Sequence, residues 1–168
     1  VKGIETSAVA KVWKGATLRG AVSYVDSNYD QFIIRQSAMF VPPGRVACPV
    51  SAPNAQGLVT INCSNFPMIR SPKWSGNLGF TQEVELGNGG NFTFDADMAF
   101  ASSRFVTADF TAAQLAKSYQ NVSASLTYNA PDQRWFISGY VRNLTNAKIY
   151  SGGGGHQAGF VAGWNTSN

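Results

Sequence analysis

Charge is scarce in this chain. Of its 168 residues only 13% are Asp, Glu, Lys or Arg, about half the share of an ordinary soluble domain. The excess of Lys and Arg, +4 in all, is dispersed along the sequence. A nucleic-acid footprint needs those residues clustered, so nucleic acid is set aside as a partner. Long apolar runs are also missing. None approaches the ~18 residues of a spanning helix, which excludes a helical membrane protein. A mean hydropathy of −0.11 leaves a β-barrel open, because alternation averages out. Histidine occurs once and cysteine twice, too few for a metal site, which needs several ligands at set spacing. No nucleophile elbow or zinc signature is present. The glycines at 152–155 have no Lys-Ser/Thr behind them to make a phosphate loop. Neither an enzyme, nor a cofactor, nor a metal is expected. Val1 is not an initiator methionine and no signal pattern opens the chain, so the expectation is a mature sequence or a piece of a longer one.

Glycine and aromatic residues are abundant (17 Gly; 12% Phe, Trp and Tyr), and they fall into a period of two. In residues 70–102, Trp74, Gly76, Leu78, Phe80, Gln82, Val84 and Leu86 share one side of an extended chain. Lys73, Ser75, Asn77, Thr81, Glu83 and Glu85 share the other. After Gly87-Asn88-Gly89-Gly90, Phe92, Phe94, Ala96, Met98 and Phe100 oppose Thr93, Asp95 and Asp97. Side chains in a strand alternate between the sheet faces, so this reads as a hairpin with one greasy and one wet face. The Asn/Gly link suits a tight turn needing positive φ. Its strands run about twice the usual length, and its wet face carries acids in mid-strand. Both features fit a transmembrane β-barrel, apolar outside and polar within.

The same alternation appears in residues 1–12, 17–25, 119–128 and 134–143. Six strands are expected, with a seventh conceivable at 160–164. Links of two to four residues (14–15, 87–90, 129–132) alternate with long ones (26–71, 103–117, 145–158). Up-and-down strands send alternate links to opposite ends, and outer-membrane barrels keep short turns at one end and long loops at the other. Within the first long link periodicity fails among Pro42, Pro43, Pro49, Pro53 and Pro67, and only residues 58–61 read as a short strand. Residues 112–117 have helix propensity but are too short to stand alone. Trp13, Tyr24, Tyr29, Trp74, Tyr128, Trp135 and Tyr150 gather near strand ends, as interfacial girdles do. The fold class expected is therefore all-β: an antiparallel up-and-down transmembrane β-barrel segment of about six or seven strands from a larger barrel.

Cys48 and Cys63 lie in a Pro/Gly/Ser/Asn-rich stretch, with no other cysteine and no nearby histidine. The expectation is a disulfide closing a surface loop in an oxidising compartment, worth roughly 3 kcal/mol for a loop of about 15 residues. Two unrelated thiols are the alternative.

Three segments carry a family resemblance. Ile69 to Leu78, IRSPKWSGNL, resembles a strand start of TonB-dependent outer-membrane receptors. Arg142 to Tyr150, RNLTNAKIY, resembles their segment near the C-terminus. Gly3-Ile4-Glu5, followed by Thr17-Leu18 and by Tyr24 to Tyr29, resembles one of their hairpins. The matches come in the family's order and span nearly the whole chain. The resemblance implies a barrel of roughly 22 strands with an N-terminal plug, importing a ferric siderophore, cobalamin or an oligosaccharide with energy delivered through TonB. No plug, TonB box or aromatic-ended closing strand stands in these residues. Residues 1–168 thus resemble the last third of such a barrel without its closing strand. The partners implied are outer-membrane lipid, the remainder of the barrel and plug, TonB through the absent N-terminal part, and the small-molecule ligand. The location implied is the outer membrane of a Gram-negative bacterium. Alone, the segment would leave two open edges, which lipid does not tolerate, so it is expected not to transport by itself.

Among candidate site residues, Arg70 and Arg104 lie where strands meet long loops. Arginine suits bidentate capture of a carboxylate or phosphate, so they either bind an anionic ligand or serve as rim charge. His156, after four glycines, either contacts ligand or is simply exposed. Asp95, Asp97, Glu83 and Glu85 are expected to line a wet lumen, balanced by Lys73, Arg134 or Arg142. Asn-x-Ser/Thr sequons at Asn62, Asn91, Asn121, Asn143 and Asn165 read as composition rather than glycosylation sites, since three would fall within or at the ends of strands. The alternative function is a secreted soluble β-sandwich, a carbohydrate-binding or adhesin module, which explains the long strands, sorted links and acidic face less well.

Overall fold

The structure, a computed structural model, describes residues 1–153 and 164–167. It is all-β. Five strands of 11 or 12 residues and a sixth of six form one antiparallel sheet: β1 (Lys2–Trp13), β2 (Ala16–Asp26), β5 (Trp74–Glu85), β6 (Asn91–Ala101), β9 (Tyr119–Asn129) and β10 (Phe136–Val141). They lie side by side in chain order, the up-and-down arrangement expected of alternating short and long links. The short links set the register. Gly15 (φ 76°) turns β1 into β2, and Gly89 (φ 85°) turns β5 into β6, where the Asn88 carboxamide accepts from the Gly90 N–H at 3.0 Å. Glycine adopts positive φ without steric cost. Neighbouring strands then zip in register, Thr81 opposite Asp95 and Asp95 opposite Ser125.

One irregularity re-aims a side chain. The β1–β2 register shifts between Lys11 and Trp13, placing Trp13 opposite Ala16. A bulge inserts one residue and turns the side chains beyond it to the other face. Trp13 thereby joins the apolar face, its ring 6.0 Å from that of Phe80 and its indole N–H donating to Gln82 Oε1 at 2.7 Å.

The aperiodic stretch is not an open loop. Residues 27–73 and 102–118 fold together over one end of the sheet. Here β3 (Ile33–Ser37) pairs with β4 (Leu58–Asn62), as the short strand at 58–61 anticipated, and β7 (Arg104–Phe105) pairs with β8 (Leu115–Ala116). The helical tendency at 112–117 appears as a single 3-10 turn, Ala112–Gln114. The buried cluster of the molecule lies in this cap: Cys48, Ile61, Cys63 and Phe110, packed about by Phe66, Phe105 and their neighbours. Cys48 and Cys63 are disulfide-bonded, their Cα atoms 5.1 Å apart. Phe110 comes from the second loop, yet its ring lies 4.9 Å from Phe66 of the first. Two main-chain bonds sew the loops together, Ala47 N–H to Asp109 O (2.9 Å) and Arg70 N–H to Phe105 O (2.7 Å).

A separate hairpin, β11 (Ile149–Gly153) with β12 (Trp164–Ser167), comes after the sheet in the chain. Most of the conceivable seventh strand at 160–164 lies outside the described residues. In the six-stranded sheet, β1 and β10 form the edges and have no further strand beside them among the described residues.

Candidate functional site

The wet face of the sheet is an ordered array. Because register is kept across four strands, Arg19, Gly79, Asp97 and Ser123 fall in one row, and Thr17, Thr81, Asp95 and Ser125 in the next. The Arg19 guanidinium links the rows. Nη2 donates to Asp97 Oδ1 at 2.8 Å and Nη1 to Thr81 Oγ1 at 2.8 Å. Thr81 in turn donates to Asp95 Oδ1 at 2.7 Å. Towards the short turns, Thr127 and Ser138 share a hydrogen bond (2.9 Å), and Asn129 donates to Asn91 (2.7 Å). Towards the cap, Ser23 donates to Glu5 at 3.1 Å. Apolar or aromatic side chains interrupt this polarity on the edge strands, with Val9 on β1 and Phe136 and Tyr140 on β10, and towards the cap on the inner strands, with Ala21, Val25 and Ala99.

The acids of this face are therefore balanced differently from expectation. Arg19 serves Asp97, whereas Lys73, Arg134 and Arg142 do not. Arg134 instead lies 3.7 Å from Asp132 in its own turn, and Lys14 lies 3.7 Å from Glu85. Arg142 stacks over the Tyr140 ring, 5.1 Å from its centroid. The reach of a guanidinium across an intervening strand decides the matter: Arg19 sits in the same row as Asp97, and the residue between them has no side chain.

The opposite face is apolar across all six strands and is uncovered. Ile4 is 71% exposed, Leu78 42%, Leu126 50% and Ile137 67%. Among the described residues no second layer packs on it. Aromatic rings border it at both ends. Tyr24 and Trp74 lie 4.7 Å apart at the cap end, and Phe92, Tyr128 and Trp135 form a chain of contacts at 5.2 and 5.5 Å at the turn end. Tyr29, expected with these, packs against Phe32 in the cap instead (4.6 Å).

The two arginines singled out from the sequence meet at the seam of the cap. Arg70 is exposed, holds φ 59° and bonds through its N–H to Phe105, the residue after Arg104. Arg104 is more committed. Its Nη2 donates to Tyr150 O at 3.0 Å, and its guanidinium lies 5.9 Å from the centroid of the Tyr119 ring. Its Nη1 is enclosed without a hydrogen-bond partner. His156 lies outside the described residues. Among the described residues, no group of three or more His, Cys, Asp or Glu is placed to hold a metal ion.

No protein-family model, curated protein or solved structure matches the chain. Its chemistry is read from its own residues. Of these, sequence reasoning missed Arg19. The signal was available in Gly79, the one position of the β5 wet face without a side chain, once Asp97 is placed beside it.

Proposed function

We propose that the chain forms part of the wall and outer cap of an outer-membrane active transporter of the TonB-dependent receptor kind. Such a transporter recognises and imports a scarce solute, a ferric siderophore first among the candidates. The observation that carries the reading is the sheet's two-sidedness. Six neighbouring strands present an uncovered apolar face, while the reverse face is laid out in hydrogen-bonded polar rows and the packed core is confined to the cap. Apolar surface of this breadth on a water-soluble sheet is costly at about 25 cal/mol per Å², and large contiguous patches are uncommon on soluble monomers. In lipid it is the favoured arrangement.

Dimensions support the same reading. Strands of 11 or 12 residues extend roughly 36–40 Å at ~3.3 Å per residue. Tilted at ~40°, they rise about 28–31 Å, close to the ~25 Å apolar band of outer-membrane barrels. Aromatic rings at both margins of the apolar face fit the two interfaces. The open edges at β1 and β10 are where the remainder of the barrel would pair, which is why the segment alone is not expected to transport.

The test is partition of the expressed chain, with its native flanking sequence, between a detergent-extracted outer-membrane fraction and a soluble fraction. Heat-modifiable, detergent-requiring β-protein is the expected outcome. A monodisperse protein that needs no detergent would overturn the reading and favour a secreted binding module.

A further inference from the structure

The cations that look dispersed in the sequence are gathered in space. The sheet has two ends, one made of short turns and one made of the cap. At the turn end the exposed charges balance: Lys11, Lys14 and Arg134 against Glu83, Glu85 and Asp132. Two of those pairs are within ion-pair distance. At the cap end seven cations are exposed. Lys2, Arg142 and Lys148 stand at or just beyond strand ends, and Arg35, Arg70, Lys73 and Lys117 belong to the cap. The exposed acids at this end are two among the described residues, Asp30 and, a little way down β1, Glu5. None of the seven cations forms an ion pair among the described residues. The half-covered charges at this end are Arg45 and Arg104, whose Nη1 has no partner, against Asp26, which faces Lys2 across the β1–β2 ladder, and Asp109. The positive excess of the chain is thus carried at one end.

We infer that the cap end is a receiving surface for a soluble multivalent oxyanion, a solute presenting several carboxylate or phosphate oxygens. Three observations favour this over simple solubility charge. The segregation is one-sided, because the other end of the same sheet neutralises itself. Arg70 and Lys73 lie three residues apart at the seam where the two cap loops join, and Lys73 falls on the wet side of the sheet, opposite in phase to Trp74. The cap is also pre-ordered by its disulfide and the Phe110 cluster, so the cations on it are held without a folding cost at the moment of binding. Like charges gathered on a fixed scaffold raise the local concentration of an opposite-charged solute. Arginine and lysine together suit both geometries of oxyanion, the bidentate and the point contact. The inference rests on the cap's charge and not on the membrane reading.

The experiment titrates the folded protein, these 168 residues with their native flanking sequence, with tripolyphosphate, in detergent or plain buffer, whichever leaves it monodisperse. Failure of the membrane reading therefore leaves the measurement intact. Saturable binding that weakens as salt rises is expected. Replacing Arg70, Lys73 and Lys117 together by Gln should lower the affinity about tenfold, the sum of three exposed contacts. The turn-end control, Lys11→Gln with Lys14→Gln, should leave it unchanged. Absence of saturation, or an equal loss in the control, overturns the inference. So does binding to vesicles of anionic lipid without binding of tripolyphosphate, which would assign the surface to headgroups.

Discussion

Arg19 and Asp97 touch across a whole strand. Their backbones belong to β2 and β6, with β5 between them, so about 9.6 Å of sheet separates the two chains at ~4.8 Å per strand. The contact closes at 2.8 Å because Gly79 lies between them in the same row. A Cβ at that position would stand 2.5 Å from Arg19 Nε.

Gly79→Ala should therefore push the Arg19 side chain off its path and break its bond to Asp97. The guanidinium is flexible and both partners are about half exposed, so the loss of stability should stay within about 1 kcal/mol. Gly76→Ala should cost more. Its Cβ would run into the Ala21 carbonyl oxygen and stand 2.8 Å from the Phe100 ring, and main chain cannot swing aside. Denaturant midpoints of the two variants, measured side by side, check the order. Equal midpoints would contradict it.

Charge placed on the two faces should have unequal consequences. Leu126→Arg sets a cation on the apolar face, and Ser123→Arg sets one on the wet face beside Asp97. Leu126 lies between the midplane and the Tyr128 margin, so a lipid-facing surface penalises the first by about 1–2 kcal/mol and leaves the second close to neutral. A water-facing surface treats an exposed leucine and an exposed arginine nearly alike. Folding yields into lipid vesicles, read by heat-modifiable gel mobility, distinguish the cases.

Reducing the Cys48–Cys63 bond should loosen the cap and spare the sheet. The bridge spans 15 residues of chain, for which loop-closure entropy gives roughly 3 kcal/mol. With Cys48→Ser and Cys63→Ser together, proteolytic cuts should appear within 27–73 while far-UV circular dichroism keeps its strand signal. Loss of that signal would mean that the cap supports the sheet.

Phe110→Ala should open both loops at once. Phe110 is 3% exposed and contacts Phe66 at 4.9 Å and Phe105 at 5.4 Å. Removal of a buried phenylalanine costs about 3–5 kcal/mol. Protease sensitivity should rise in 27–73 and in 102–118 together, and a rise confined to 102–118 would show that the loops are independent.

The sheet was legible because its information is local. A two-residue period names the faces, glycine turns name the hairpins, and the register then comes from counting. The aromatic margins were legible as well, Trp13 included, although the bulge that brings it to the apolar face was not; the exceptions are Tyr29, which the cap took, and Tyr150, which lies on β11 outside the six-stranded sheet. The cap was not legible. Its core joins Ile61 to Phe110 across almost fifty positions, with prolines and turns in between. No period survives where the chain changes direction every few residues. Arg19 escaped notice for a related reason. Its partner is two strands away, and pairing expectations stop at the neighbouring strand. The grouping of cations at the cap end was hidden likewise, since residues far apart in sequence return to one end of the sheet with every second link.

The shared core of the two cap loops limits how the outer surface can change. Phe110 fills a space lined by the first loop, and the Ala47–Asp109 and Arg70–Phe105 bonds cross the same boundary. A new sequence in one loop meets the old shape of the other. The two loops are therefore a single unit of exchange. Transplanted together onto another sheet with the same strand spacing they carry their packing with them, and transplanted singly they leave a cavity on one side and an orphaned aromatic on the other.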